Sequence, residues 1–132
     1  MGTEEKHNAS EIRDLAAKTA YEINRVFCMG LGDLVPYPWD VLPEEQRDGY
    51  RKGVWSVLDG ATPEILHLRW MDEKVKKGWV YGPVKDDQTK THPCLLPYND
   101  PRFPKAQKTK DVLFQAVVQA VLEQYGILCK PF

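Results

Sequence analysis

Aromatic and cationic side chains between positions 70 and 92 have the composition of a site for a flat, anionic molecule. These residues are Trp70, Lys74, Tyr81, Lys85 and His92. An indole ring stacks on a purine with about 1 to 3 kcal/mol, the scale of base stacking, and ammonium groups bind phosphate. Histidine and tyrosine would supply hydrogen bonds. The alternative for each residue is a purely structural role, such as packing of the Trp70 ring against a neighbouring helix.

Two stripes run along the helix that is predicted to end at Gly78. One stripe is aromatic and basic, with spacings of 3, 4 and 3 residues: His67, Trp70, Lys74 and Lys77. The other is apolar, with spacings of 3, 4 and 4 residues: Leu68, Met71, Val75 and Trp79. Residues three and four apart share one helix face, so the apolar stripe is predicted to face the core. The basic stripe is then predicted to face a ligand, with His67 as a further candidate.

The charged segment after Tyr81 reads as a turn. Asp86 and Asp87 are typical turn formers, but either carboxylate could also accept a ribose hydroxyl or orient Lys85. The sequence therefore adds Asp86 to the candidate ligand-binding residues.

Charge is distributed unevenly along the chain. The net charge is −1, but residues 69–110 contain 10 Lys and Arg against 5 Asp and Glu, a local charge of +5. An anionic ligand is most readily held there, whereas a nucleic-acid partner is not expected from the whole chain. No apolar run reaches the roughly 18 to 20 residues of a membrane span, and the N-terminus lacks a signal-peptide pattern. We expect a cytoplasmic protein that does not bind membranes.

Periodicity predicts a mainly α (α+β) single domain of four helices with a small two-stranded β-ribbon. After a flexible N-terminus, residues 1–8, the domain spans 9–132. Helices are predicted from Ala9 to about Gly30, from Pro43 to about Leu58, from Thr62 to Gly78, and from Thr109 or Lys110 to Tyr125. Two short strands are predicted at 79–81 and 94–96, and residues 33–42 as an extended, proline-rich connector. The apolar stripe predicted for the first helix comprises Ile12, Leu15, Ala16, Ala20, Ile23, Val26 and Phe27.

The central segment resembles a known family. The run contains His67-x-x-Trp70, the core Gly78-Trp-Val-Tyr-Gly-Pro-Val, and His92-Pro-Cys, followed by Lys110-Asp111. It is similar to the ryanodine-receptor repeat (RyR) domain, which occurs in tandem in calcium-release channels and as small stand-alone bacterial and phage proteins. The resemblance covers about residues 36–126, and residues 9–32 resemble the N-terminal extension helix of phage-type members.

The resemblance implies a compact helical module that senses ligands and has no channel pore. In the channels, the repeats are associated with adenine nucleotides packed against the tryptophan of the His-x-x-Trp helix. That role would fall here on Trp70, with Lys85 and His92 as polar partners. Because channel repeats lie together in pairs, a site that needs two repeats would form across a homodimer or be completed by the first helix.

Catalysis is not expected. There is no GxSxG or HExxH motif, no phosphate-binding glycine loop and no Cys-His spacing typical of a nucleophile and base. The three cysteines lack a metal-binding or redox spacing, so neither a metal nor a cofactor is expected. The leading hypothesis is a sensor or sequestering module for an adenine-nucleotide-like or nucleotide-derived signal. The alternative is a protein interaction or oligomerisation module without a small-molecule ligand.

Overall fold

A computed structural model describes residues 8–131, so the predicted flexible N-terminus lies outside it except for Asn8. The described chain forms four α-helices: α1 (Ala9–Leu31), α2 (Glu44–Leu58), α3 (Pro63–Lys76) and α4 (Lys105–Gln124). A 3-10 helix, Trp39–Val41, precedes α2, and two short strands, β1 (Val80–Tyr81) and β2 (Thr91–His92), follow α3. The predicted mainly helical fold with a small two-stranded sheet is confirmed. Within residues 8–131, no helix combines the length and apolarity needed to cross a bilayer.

The residues group into two compact units. Unit 1 comprises residues 8–60 and 113–131, and unit 2 is the continuous segment Ala61–Val112. Unit 1 contains α1, α2 and the second part of α4, whereas unit 2 contains α3, both strands and the first residues of α4. All seven candidate site residues therefore lie in unit 2.

Unit 1 is built around a core of small and branched side chains. Ala16, Ala17 and Ala20 of α1 are buried, as are Val54 and Val57 of α2. Alanines leave room for a neighbouring helix to approach closely, and the branched side chains of α2 fill the remaining space. Three aromatic rings extend this core, with centroids 5.0 to 6.1 Å apart: Tyr21, Trp39 and Tyr50.

Local signals set several helix ends where they were expected. The Asn8 side chain accepts the Glu11 backbone N–H at 2.8 Å, which starts α1. Thr62 accepts from the Ile65 N–H at 3.2 Å, with Pro63 at the first helical position of α3. Gly78 follows α3 with φ 89, a left-handed conformation that glycine adopts without strain.

Two boundaries differ from the sequence prediction. Helix α4 begins at Lys105, not at Thr109 or Lys110, because the Pro104 carbonyl already accepts from Gln107 N–H at 3.1 Å. Proline suits such a position because its missing N–H is not needed at a helix start. Trp39–Val41 forms a 3-10 turn inside the connector that was predicted to be extended, and Trp39 is buried there.

The second strand was also predicted wrongly. It is Thr91–His92 rather than 94–96, and it pairs with β1 in parallel, with Val80 opposite Thr91 and Tyr81 opposite His92. Residues in a strand point alternately to opposite faces, whereas the side chains of Cys94, Leu95 and Leu96 are all buried. These three residues therefore belong to the core and do not form a strand.

The predicted core stripe of α3 is also wrong, because the other stripe of the helix is the buried one. Leu68 and Val75 are 46% and 57% exposed, whereas His67 on the other stripe is only 4% exposed. A cluster of Cys94, Leu96 and Phe103 forms the core of unit 2 and contacts Trp70. Because residues of the 94–103 loop supply this core, the aromatic face of α3 turns inward.

The predicted apolar stripe of α1 is only partly buried. Ile12, Ala16 and Ala20 are buried, as predicted. Leu15, Ile23 and Val26, assigned to the same stripe, are 41%, 40% and 58% exposed. The stripe was too wide, because the buried face of α1 is centred on its alanines and continues to Tyr21 and Cys28.

Candidate functional site

Trp70 lies at the boundary between the core of unit 2 and its surface. It is half-buried and packs against the cluster of Cys94, Leu96 and Phe103. The His92 ring meets Trp70 edge to face, with centroids 4.9 Å apart, a favoured geometry for aromatic pairs. Trp70 thus has the packing role considered for it, and part of the residue remains accessible to solvent.

His92 is held as an uncharged ring. Its Nδ1 accepts the backbone N–H of Cys94 at 3.0 Å, so the hydrogen-bond pattern assigns the ring proton to Nε2. Burial, together with the nearby ammonium groups of Lys85 and Lys74, lowers the pKa of His92 from 6.5 to about 4. Near neutral pH the ring is therefore a neutral donor through Nε2–H, and the charges near it are those of Lys85, Lys74 and Asp87.

Lys74 and Trp79 complete the cluster around this histidine. The Lys74 ammonium lies 4.6 Å from the centroid of the Trp79 ring, within the range of a cation–π contact. The Trp79 and His92 rings are T-shaped, with centroids 6.4 Å apart. The rings of Trp70 and Trp79 thus both contact His92. The positive charge of Lys85 lowers the pKa of His92. The structure brings together four of the residues predicted from the sequence, namely Trp70, Lys74, Lys85 and His92.

Tyr81 lies beside the cluster, opposite His92 in the parallel ladder. The Arg102 guanidinium stands 5.0 Å from the Tyr81 ring centroid, and Asp100 binds this guanidinium through two hydrogen bonds of 3.1 Å. Sequence reasoning missed Arg102, which lies in a proline-rich loop where no helical or strand spacing relates it to Tyr81. Its only sequence signal was its place in the basic segment.

His67 and Asp86 have structural roles in this arrangement. His67 is buried, donates from Nε2 to the Leu96 carbonyl at 2.8 Å, and meets Phe103 edge to face. Asp86 accepts from the Gln88 N–H at 2.8 Å, which forms the turn before β2. These two residues shape unit 2 around the cluster.

The chemistry near His92 does not favour a nucleophile. Burial, together with the Asp111 carboxylate, raises the pKa of the Cys94 thiol to about 11. A thiol needs to be ionised to attack or to bind a metal, and Cys94 stays protonated at neutral pH. Among residues 8–131, no group of three His, Cys, Asp or Glu side chains is placed to hold a metal ion.

A cavity of about 480 Å³ lies elsewhere, in unit 1. It contains none of the predicted site residues, and its lining is Ser10, Glu11, Arg13, Asp14, Arg51 and Trp55. Arg51 already binds Asp14 at 2.6 Å, and Arg13 stacks on Trp55 at 3.8 Å. Because its two guanidinium groups are engaged within the protein, we assign it no ligand.

Unit 2 is thus a small helical module that presents an aromatic and basic cluster around a neutral histidine. Residues 61–124 match the family model of the RyR domain. The resemblance to the RyR domain that was read from the sequence is therefore confirmed over residues 61–124. The match begins at Ala61, the first residue of unit 2, and includes every candidate site residue.

Proposed function

We propose that this RyR domain binds an adenine-nucleotide-like or nucleotide-derived molecule as a sensor or sequestering module. One observation carries the proposal: His92 contacts two tryptophan rings and is uncharged, and the ammonium groups of Lys74 and Lys85 help to lower its pKa. A phosphate group would be attracted by both ammonium groups and could accept from the histidine Nε2–H. A purine would use the remaining aromatic surface.

Each residue has a stated role in this proposal. The exposed part of Trp70 stacks on the base, and Lys74 and Lys85 bind phosphate oxygens. His92 donates a hydrogen bond from Nε2, and the Tyr81 hydroxyl supplies another. Asp86 shapes the turn next to Lys85, and His67 holds the loop that positions Trp70. Neither of these two needs to touch the ligand.

The proposed activity is binding without catalysis. Two observations support this choice. The high pKa of Cys94 keeps its thiol protonated and therefore a poor nucleophile, and the hydrogen bond at His92 Nδ1 occupies the nitrogen that would act as a base. We place the activity in the cytoplasm. The cysteines Cys28, Cys94 and Cys129 are free thiols, which fits a reducing compartment.

Calorimetry and thermal unfolding test the ligand directly. The protein is titrated with ATP, ADP, ADP-ribose and cyclic AMP, each of which combines an adenine ring with phosphate. A true ligand at 100 times its dissociation constant should stabilise the protein by about 2.7 kcal/mol. If none of these compounds binds, the proposed function is wrong.

Matched lysine variants locate the site. Lys85→Gln should weaken binding by about 1.5 kcal/mol, the low end for a charge-assisted hydrogen bond, because Lys85 is exposed to solvent. Lys105→Gln changes the net charge equally at another exposed lysine of unit 2 and should leave affinity unchanged. Equal losses in both variants would mean that charge alone, and not this cluster, attracts the ligand. Trp70→Phe should reduce affinity while keeping an aromatic ring against the core.

The alternative function is a protein interaction or oligomerisation module without a small-molecule ligand. It is favoured by the large apolar side chains exposed on unit 1, among them Leu34 at 96% and Tyr37 at 75%. The same titrations separate the two functions, because an interaction module would show no stabilisation by nucleotides and would self-associate or bind a protein.

A further inference from the structure

A short loop joins the two strands of unit 2. It comprises residues 82–90, and we call it the strand loop. Parallel strands usually need a connection of a dozen or more residues, so this one must be tightly folded. The strand loop carries Lys85, whose side chain is exposed and has many rotamers available. The position of its ammonium group near His92 therefore depends on where the backbone of the strand loop lies.

Thr91, the first residue of β2, binds the strand loop on both sides of Lys85. Its hydroxyl donates to the Val84 carbonyl at 2.9 Å. Its backbone N–H donates to the Asp86 carbonyl at 3.1 Å, and its own carbonyl accepts from the Asp86 N–H at 3.0 Å. Both sequence neighbours of Lys85 are thus bound to a single residue, and that residue directly precedes His92.

A glycine allows Thr91 to lie this close to the strand loop. Gly82 is buried, and a Cβ at this position would lie 2.6 Å from the Thr91 Cβ and 3.2 Å from its hydroxyl oxygen. Two carbon atoms pack best at about 3.5 to 4.0 Å, so a side chain at position 82 would push Thr91 away. The second glycine of the Gly-Trp-Val-Tyr-Gly motif thus leaves room for Thr91.

We propose that Thr91 is a positioning residue, which holds Lys85 beside His92 through the hydrogen bond from its hydroxyl to the Val84 carbonyl. The backbone bonds between positions 86 and 91 can form with other side chains at position 91, whereas the bond to Val84 needs a hydroxyl. This arrangement belongs to the ligand-free protein. Its consequence for affinity rests on the proposed function, in which Lys85 binds phosphate.

The pKa of His92 reports the position of Lys85. Burial, Lys85, Lys74 and His67 lower this pKa to about 4, and Asp87 acts in the opposite direction. If the ammonium group of Lys85 moves away, the protonated ring is repelled less and the pKa rises. NMR titration of the His92 ring measures this change without any ligand.

A matched pair of variants tests the hydroxyl. Thr91→Val keeps the branched shape but cannot donate, so it should raise the pKa of His92 toward 6.5. Thr91→Ser keeps the donor and should retain the wild-type value. Thr109→Val removes the hydroxyl of another exposed threonine of unit 2, which bonds within α4, and should leave the pKa unchanged. Circular dichroism checks that each variant is folded.

A double-mutant cycle shows whether Thr91 acts through Lys85. In the Lys85→Gln background, Thr91→Val should cause no further change in the pKa of His92, because position 85 carries no charge. In the Lys74→Gln background the full effect should persist, since Lys74 lies on α3. Gly82→Ala should raise the pKa as Thr91→Val does, because it displaces Thr91 while keeping the hydroxyl.

Two outcomes would overturn the proposal. One is an unchanged pKa of His92 in Thr91→Val, and the other is an equal rise in the presence and absence of Lys85. Calorimetry with ATP tests the consequence for binding: Thr91→Val should weaken affinity about two- to tenfold, the equivalent of one net hydrogen bond, and should have no effect in Lys85→Gln. If the pKa values are coupled as expected but no adenine nucleotide binds, the proposed function fails and the role of Thr91 stands.

Discussion

The backbone N–H of Cys94 donates to Nδ1 of His92 across 3.0 Å. This bond occupies the only ring nitrogen that could take up a proton. Protonation would place two hydrogens against each other, and Lys85 and Lys74 would repel the new charge. The hydrogen bond, burial and two lysines thus act in the same direction, so the His92 ring is a neutral hydrogen-bond donor and not a cation.

The neutral state of His92 makes folding sensitive to acid. Its folded pKa of about 4 lies below the usual 6.5, so between these values the unfolded chain binds more protons than the native chain. The free energy of unfolding should therefore fall as pH decreases from 6.5 to 4. His92→Asn keeps an acceptor near the Cys94 N–H but cannot titrate. Urea unfolding at several pH values should show a shallower decline for His92→Asn, and equal slopes would contradict the low pKa.

Two glycines of α2 should respond oppositely to alanine. A Cβ at Gly53 would lie 2.9 Å from the Phe114 ring, whereas a Cβ at Gly49 would meet nothing within 4 Å. Gly53→Ala should destabilise the protein by about 1 to 3 kcal/mol through overpacking. Gly49→Ala should stabilise it by about 0.5 to 1 kcal/mol, because glycine weakens a helix interior. Urea unfolding of both variants provides the measurement, and a stabilising Gly53→Ala would show that the ring moves aside freely.

His67 should matter for stability more than for contact with a ligand. His67→Leu removes the donor to the Leu96 carbonyl and leaves that acceptor unsatisfied, at a cost of about 1 to 3 kcal/mol. His67→Gln keeps an amide donor and should recover part of the loss. Thermal unfolding without ligand measures both. If His67→Leu left stability unchanged but abolished ligand binding, His67 would be a ligand contact instead.

Thiol labelling should distinguish the cysteines. The Cys94 side chain is 7% exposed and its pKa is raised to about 11, so little thiolate is present at pH 8 and access is poor. Cys129 is only partly buried and should react first with iodoacetamide. Peptide mass spectrometry of a time course gives the order. Fast alkylation of Cys94 in the folded protein would show that its thiol is reactive, and Cys94 would then be a candidate nucleophile.

Helix boundaries were predictable where the signal lies within a few residues. Asn8 with Glu11, Thr62 with Pro63, and Gly78 each satisfy or end backbone hydrogen bonding locally. The start of α4 was missed because the prolines before it were read as breakers, whereas Pro104 directly precedes the helix and its carbonyl accepts the first hydrogen bond. Such a position can only be recognised from the hydrogen bonds that follow it.

Burial was harder to predict because it depends on distant residues. The inward face of α3 is set by Cys94, Leu96 and Phe103, which lie more than twenty residues beyond Trp70 along the chain. The spacing of Leu68 and Val75 carries no information about that loop. By contrast, the grouping of Trp70 with Lys74 was predictable from their spacing on one helix face, and that of Trp70 with His92 was implied by the resemblance to the RyR domain. Arg102 could not be found in this way.

The discontinuity of unit 1 has a consequence for biosynthesis. Unit 2 is one continuous segment, Ala61–Val112, whereas unit 1 also needs residues from Leu113 onward. During translation, every residue of unit 2 is made before the second part of α4, which contributes the buried Val118 and Leu122 to unit 1. Domains fold as their residues become available. We therefore expect the apolar faces of the N-terminal helices to stay exposed, and accessible to chaperones, until α4 has been synthesised and has left the ribosome.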